Sequence, residues 1–174
     1  FLQYLYSAVK QNNGNMAYLP RIWKTNTQYL YTLPAHEYLD IPRKDIASFR
    51  KLPFSIIHNK DADSFHKSYV RNLEILNHAY KQNPFQRRIV FYLGHDNQYI
   101  GNYAEAIRWY KKYARLKDKH QDELHKVYLG QGRCMIQLGE ISKAKKNFRK
   151  AVDANPAVIE PYLHLGEIEM KEHR

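Results

Sequence analysis

The second half of the chain repeats itself, and this repetition constrains the fold more than any other feature of the sequence. The segment VFYLGHDNQYIGNYAEAIRWYKKY (90–113) aligns with YLGQGRCMIQLGEISKAKKNFRKA (128–151) at a constant offset of 38 residues. A third, partial copy begins at residue 162. A period of this length predicts stacked helix pairs. The matched positions are Gly94 with Gly132, Gly101 with Gly139, Ala106 with Ala144, Tyr110 with Phe148 and, 34 residues after Gly132, Gly166.

This pattern of glycine, alanine and an aromatic residue resembles the tetratricopeptide repeat. Small residues such as Gly132 and Ala144 allow two helices to cross closely, and a ring such as Phe148 fills the space between successive pairs. Gly101 and Gly139 are expected at the turns inside each pair, in left-handed backbone. The first interval exceeds the second by four residues, which we place in the polar loop 116–123.

The array is predicted to extend towards the N-terminus. Apolar residues recur at helical spacing over residues 64–82, which we interpret as the second helix of a degenerate first repeat, with Asp63 as its N-cap. Residues 1–60 differ from the rest of the chain. The segments 15–24, 27–39 and 52–59 are rich in aromatic and branched residues, and they predict short β-strands that belong to a larger sheet.

Composition narrows the function classes. The formal net charge is +11, and most of the excess lies before residue 121, which favours phosphate-bearing partners or a solvated lysine-rich surface. Cys134 is the single cysteine, so we predict a buried unreactive thiol, in keeping with a reducing, cytoplasmic location. No apolar run is long enough to span a bilayer. Gly-rich phosphate loops, serine nucleophile elbows and zinc spacings are absent from the sequence.

Several motifs together resemble the C-terminal part of family 2 glycosyltransferases of the GT-A type that carry tetratricopeptide repeats. Their order and spacing cover nearly the whole chain. The repeats lie directly behind them. The matching residues are Arg21, Ile22, Trp23 and Lys24; His36 and Glu37; Ile57 and His58; and Arg71 and Asn72.

The resemblance implies a role for each of three residues. His36 is expected to ligate a divalent cation, Mn²⁺ or Mg²⁺, on the donor diphosphate, Glu37 to act as the catalytic carboxylate that orients it or contacts the acceptor, and Arg21 to hold phosphate. The cation is expected only in a full-length enzyme, because the family's nucleotide-binding half and its Asp-x-Asp motif precede the His-Glu pair. The one Asp-x-Asp here, Asp61-Ala-Asp63, follows that pair, and we interpret it as a helix cap.

The first helices of the repeats are predicted to present a partner-binding groove. Apolar residues in this set argue against a clamp for a C-terminal carboxylate, and they favour a protein or glycan acceptor or a homo-oligomer. Nucleic acid is not expected as a partner, because repeat packing accounts for most aromatics near the basic residues 108–115. The predicted groove residues are Arg88, Phe91, His95, Tyr99, Lys126, Leu129 and Arg133.

We therefore predict a mainly α-helical chain. Residues 61–174 form a tetratricopeptide-like repeat array (an α-α superhelix), and residues 1–60 form a short β-rich segment from the end of a GT-A α/β domain. The function predicted from the resemblance is transfer of a sugar from a nucleotide-sugar donor to an acceptor, with the fragment alone inactive. The alternative is a non-enzymatic protein–protein interaction module.

Overall fold

The computed structural model describes residues 4–10, 16–23, 28–46, 49–57 and 61–173. The chain divides into two compact units, residues 1–65 and residues 66–174. The first unit contains five described strands and a short helix, and the second is helical. The elements of the first unit are β1 (Tyr4–Lys10), β2 (Met16–Trp23), β3 (Leu30–Thr32), β4 (Tyr38–Asp40), α1 (Arg43–Ile46) and β5 (Phe49–Ile57).

The strands of the first unit form two sheets. The larger has the order β2-β1-β5, with β1 antiparallel to β2 and parallel to β5. The smaller is the hairpin of β3 and β4, in which Tyr31 lies opposite Leu39. Strand β1 was not expected from the sequence, whereas β2 and β5 match the predicted strands at 15–24 and 52–59 within a few residues.

The predicted strand over residues 27–39 is wrong in its middle. The backbone bends through Leu33–His36, and both Leu33 and His36 have positive φ, at 70° and 55°. Pro34 also lacks the N–H that a ladder needs, so the extended run cannot continue. The segment is therefore two short strands joined by a turn, and Ala35 and Leu39 are its buried side chains.

The second unit is a tetratricopeptide-like array, which confirms the predicted fold class. Each repeat contributes a first helix and a second helix that packs back against it. Helix α2 begins in the first unit and continues into the second. The helices are α2 (Ala62–Gln82), α3 (Arg87–Tyr99), α4 (Tyr103–Arg115), α5 (Gln121–Gln137), α6 (Ile141–Ala154) and α7 (Glu160–Glu172).

Asp61, and not Asp63 as predicted, caps α2. The Ser64 backbone N–H donates to the Asp61 carboxylate at 2.6 Å, and hydrogen bonds from Ser64 lower the pKa of Asp61. The helix begins one residue later, at Ala62, so Asp63 already lies inside the first turn. The interpretation of Asp61-Ala-Asp63 as a helix start is confirmed, with the capping role moved by two residues.

Glycines set the distance between helices, as predicted. A Cβ added to Gly94 would lie 2.7 Å from the ring of Tyr110, and one added to Gly132 would lie 2.4 Å from the ring of Phe148. Gly130 makes a third such approach, at 2.6 Å from Tyr110, and sequence alignment did not reveal it. Tyr110 is thus held between α3 and α5, which explains why an aromatic side chain recurs there.

The turns inside the repeats also follow the prediction. Gly101 has φ of 86° and Gly139 has φ of 74°, the left-handed region that only glycine adopts without strain. After each glycine a new helix starts within two residues, at Tyr103 and at Ile141. The two turns are therefore equivalent in backbone as well as in sequence.

The four extra residues lie in a helix and not in the loop 116–123. Helix α5 has 17 residues and α3 has 13, while their C-termini stay in register at Tyr99 and Gln137. The added turn is tied to the preceding repeat, because the Tyr113 hydroxyl donates to Glu123 at 2.5 Å and accepts from the His120 N–H at 3.2 Å. Tertiary contacts at Tyr113 therefore favour helix over loop in this polar stretch.

Two glycine substitutions should separate close packing from helix propensity. Gly132→Ala forces a methyl group into Phe148, so it should destabilise the protein by about 1–3 kcal/mol. Gly166→Ala meets nothing within 4 Å, so it should be neutral or stabilise by up to about 1 kcal/mol. Urea unfolding followed by circular dichroism measures both. Equal effects of the two substitutions would contradict the packing role of Gly132.

Candidate functional site

The residues predicted for sugar transfer lie in the first unit. His36 is half-buried in the turn between β3 and β4, and Glu37 follows it as an exposed side chain. Arg21 lies in β2, but its side chain is outside the described residues, as is the whole of His58. The structure thus places His36 and Glu37 next to each other, with the histidine in a left-handed conformation that few side chains adopt.

His36 and Glu37 do not by themselves make a site for Mn²⁺ or Mg²⁺. Such cations take about six ligands, mostly oxygen, in near-octahedral geometry. One imidazole and one carboxylate supply at most part of that set, and the carboxylate is exposed. The role of His36 as a metal ligand therefore stays a prediction that depends on ligands from elsewhere.

The predicted groove residues of α3 lie along an aromatic face of the second unit. Arg88 donates from Nη2 to the Tyr92 hydroxyl at 3.3 Å, and the ring of Tyr92 meets the ring of His95 edge-on at 6.0 Å. The ring of Phe91 contacts Tyr110 and is partly buried. Arg88, Phe91 and His95 therefore do lie together on one helix face.

The end of this face is a polar and aromatic cluster. His95 donates from Nδ1 to the Asp96 carboxylate at 2.7 Å, and Asp96 is fully buried. Tyr99 stacks on Tyr69 of α2 with ring centroids 4.8 Å apart, while 54% of Tyr99 remains exposed. Burial raises the pKa of Tyr69 to about 12, so its hydroxyl stays protonated at neutral pH.

The three predicted groove residues of α5 have different environments. Lys126 is exposed and Arg133 is partly exposed, and Arg133 forms an ion pair with Glu160 of α7. Leu129 is only 6% exposed and belongs to the core between the helices. Leu129 therefore stabilises the repeat and does not line an open surface, which corrects its predicted place in the groove.

A pocket of 330 Å³ opens between the C-terminal halves of α5 and α7. Isoleucines make its apolar part, and charged or polar side chains of both helices surround them. It begins at Arg133, the last of the predicted groove residues. The residues that line it are Arg133, Ile136, Gln137, Ile141, His164, Glu167, Ile168, Lys171 and Glu172.

His164 forms one wall of this pocket. Its ring stacks on Phe148 with centroids 4.8 Å apart and an interplanar angle of 19°. Its Nδ1 lies 3.4 Å from the Glu167 carboxylate. Sequence reasoning did not single out His164 or Lys171, although their spacing from Gly166 in a helix places both beside α5 and was a usable signal.

Residues of the second unit match a known repeat family. Residues 125–158 match the tetratricopeptide repeat. No curated protein sequence matches the chain. Among the described residues, no helix is both long and apolar enough to cross a membrane.

Solved structures of low sequence identity share the fold. The type III secretion chaperone SycD of Yersinia enterocolitica, in complex with a peptide of the translocator YopD, is 20% identical over 64% of this chain and 88% of that chain, with a TM-score of 0.53. An alternative dimer of SycD is 16% identical over 67% and 98%, with a TM-score of 0.54. MamA is 18% identical over 65% and 69%, with a TM-score of 0.53. These similarities concern the fold.

Buried acidic protons should make the protein unstable in alkali. Burial raises the pKa of the Cys134 thiol to about 12 from 9.0, and burial also raises the pKa of Tyr113 to about 12 from 10.0. Between pH 9 and pH 12 the unfolded chain loses these protons while the folded chain keeps them, so stability should fall as pH rises through this interval. Thermal unfolding across that range measures the loss.

The Cys134→Ala variant serves as the control for this pH dependence. It removes one of the raised groups, so its melting temperature should fall less steeply between pH 9 and pH 12. A melting temperature of the unmodified protein that stays constant over the interval would show that these groups titrate alike in both states.

Proposed function

We propose that the second unit binds a peptide segment of a partner protein on the face formed by α3, α5 and α7. The pocket between α5 and α7 carries this proposal. Its isoleucines, Ile136, Ile141 and Ile168, suit one aliphatic side chain, and its volume of 330 Å³ is at the lower end of the range for small-ligand sites. Apolar pockets with a polar rim hold the anchoring side chains of bound peptides.

The charge of the face selects the flanking residues of that peptide. Arg88 on α3 and Lys126 and Arg133 on α5 are positive, while the acidic Glu160 and Glu167 lie on α7. A bound segment with acidic residues over α3 and α5 and an aliphatic residue in the pocket meets complementary groups throughout. We therefore expect a peptide of acidic and aliphatic character.

The structural neighbours support this kind of use of the fold. SycD was solved with a peptide of its translocator, and tetratricopeptide arrays expose extended binding surfaces of this type. The sequence of the present chain differs at most positions, so the peptide that it prefers follows from its own side chains and not from that complex.

Selection from a random peptide library displayed on phage tests the proposal. Peptides with aliphatic and acidic residues should be enriched, and Arg133→Glu should weaken their binding by about tenfold or more, which is about 1.4 kcal/mol. Arg149→Glu is the matched control, because Arg149 is exposed on α6 and does not line the pocket. Enriched peptides that bind both variants equally would place the site elsewhere.

Sugar transfer remains a second candidate function for a longer protein that contains this chain. It is supported by the motif residues His36, Glu37 and Arg21 and by the mixed sheet in which β1 runs parallel to β5, an arrangement typical of α/β domains. On this hypothesis the repeats present the acceptor, which is a protein or a glycan, and the donor is a nucleotide-sugar.

Replacement of the histidine tests this second candidate. In a full-length enzyme, His36→Ala should abolish metal-dependent sugar transfer and leave the melting temperature nearly unchanged, since His36 lies in a turn. Equal loss of folding and transfer would make His36 structural. Unchanged transfer would remove it from the proposed metal site.

A further inference from the structure

Helix α7 carries a second apolar stripe, on the side that faces away from the core. Pro161 and Ile168 on its inner side are buried, as expected for a helix that packs on α5 and α6. The opposite side is apolar as well, with Gly166 at its centre. Its large residues have exposures of 70% for Ile159, 46% for Tyr162, 60% for Leu163 and 63% for Met170.

The preceding repeat shows what such a stripe does in this fold. At the 34-residue offset, Leu163 corresponds to Leu129 and Gly166 corresponds to Gly132. Leu129 is 6% exposed, and Gly132 lies against the ring of Phe148. Around Gly166, by contrast, an added Cβ would meet nothing within 4 Å. The same surface is therefore covered by a helix in one repeat and open in the next.

The covering helix has a recognisable chemistry. In α6 the residues that face α5 are Ala144, Phe148 and Ala151, all of them buried. In α4 the corresponding ring is Tyr110, which lies against Gly94. A helix that covers this type of surface therefore needs a small residue followed four positions later by an aromatic ring that meets the glycine.

Charge gives the second requirement. Helix α7 has the acidic residues Glu160, Glu167, Glu169 and Glu172 against the single basic residue Lys171. Helix α6 satisfies part of this charge, because Lys145 Nζ lies 2.7 Å from both Glu169 and Glu172. Glu167 is 68% exposed and close to the open stripe. A basic helix is therefore complementary to this surface.

The second apolar stripe is poorly suited to self-pairing. A symmetric contact between two α7 helices would bring eight glutamates together against two lysines, and like charges at short range are destabilising. The described parts of α4 and α6 present basic residues to solvent, but their aromatic residues Tyr110 and Phe148 are already buried inside the repeats.

We propose that the outer face of α7, residues 159–170, docks a basic amphipathic helix of a partner protein that places a phenylalanine or tyrosine against Gly166. This face lies opposite the side of α7 that forms the peptide pocket, so the two sites bind independently. The docked helix packs on α7 as α6 packs on α5, with Tyr162, Leu163 and Met170 around its ring and its lysines or arginines near Glu167.

A synthetic peptide copy of α6 provides a defined probe. The peptide ISKAKKNFRKAVDA (141–154), capped at both ends and labelled with fluorescein, contains the required alanines, ring and basic residues. Titration with the protein, followed by fluorescence anisotropy, should show saturable binding. The same peptide with alanine in place of Phe148 should bind about tenfold or more weakly, because the ring supplies most of the contact with Gly166.

Gly166→Leu is the decisive protein variant. The free protein has open space at Gly166, so the substitution leaves folding intact, and it should weaken peptide binding about tenfold or more because the added side chain occupies the place of the ring. Lys146→Leu, at an exposed position of α6, is the matched control and should bind as the unmodified protein does. Circular dichroism confirms that both variants are folded.

Three results would overturn the proposal. The first is absence of saturable binding by the α6 peptide at millimolar protein concentration. The second is equal binding by the Gly166→Leu and Lys146→Leu variants. The third is concentration-dependent self-association, measured by sedimentation velocity, that Gly166→Leu abolishes while the peptide does not compete with it. That last result would identify a second copy of this chain as the occupant.

Discussion

Close contact between a glycine on one helix and an aromatic ring on the next is the interaction on which the helical unit depends. Tyr110 lies against Gly94 and Gly130 at once, and Phe148 lies against Gly132. Any side chain at these glycines would push the helices apart by more than a tightly packed interior tolerates. The rings therefore set both the spacing within a repeat and the spacing between repeats, and the surfaces follow from that spacing.

Two surfaces of different character result. The face of α3, α5 and α7 has a pocket of 330 Å³ with isoleucines inside and charges of both signs at its rim. The outer face of α7 is an open apolar stripe around Gly166. The first suits an extended peptide that inserts one side chain, and the second suits a whole helix. A fold made of one repeated contact thus presents two binding modes, because α7 uses one side for packing and leaves the other open.

The repeat could be predicted closely from sequence, and the exceptions are informative. Gly101, Gly139, Ala144 and Phe148 behave as their spacing predicted, since local backbone and helix periodicity decide them. The extra turn of α5 was placed in a loop, because its polar residues carry no helical signal and contacts with Tyr113 stabilise it. Leu129 was assigned to a groove, whereas the neighbouring helix buries it.

The sequence by itself determined the period, the helix pairs and the glycine–aromatic contacts, because these depend on residues at fixed short separations. Only the tertiary structure decided which apolar side chains are covered, since identical stripes on α5 and α7 differ solely in whether a helix lies against them. It also decided that His36 occupies a left-handed turn between two strands, which alternation of residue types does not reveal. Exposure is a property of the assembled chain, and it separates a core leucine such as Leu129 from a binding leucine such as Leu163.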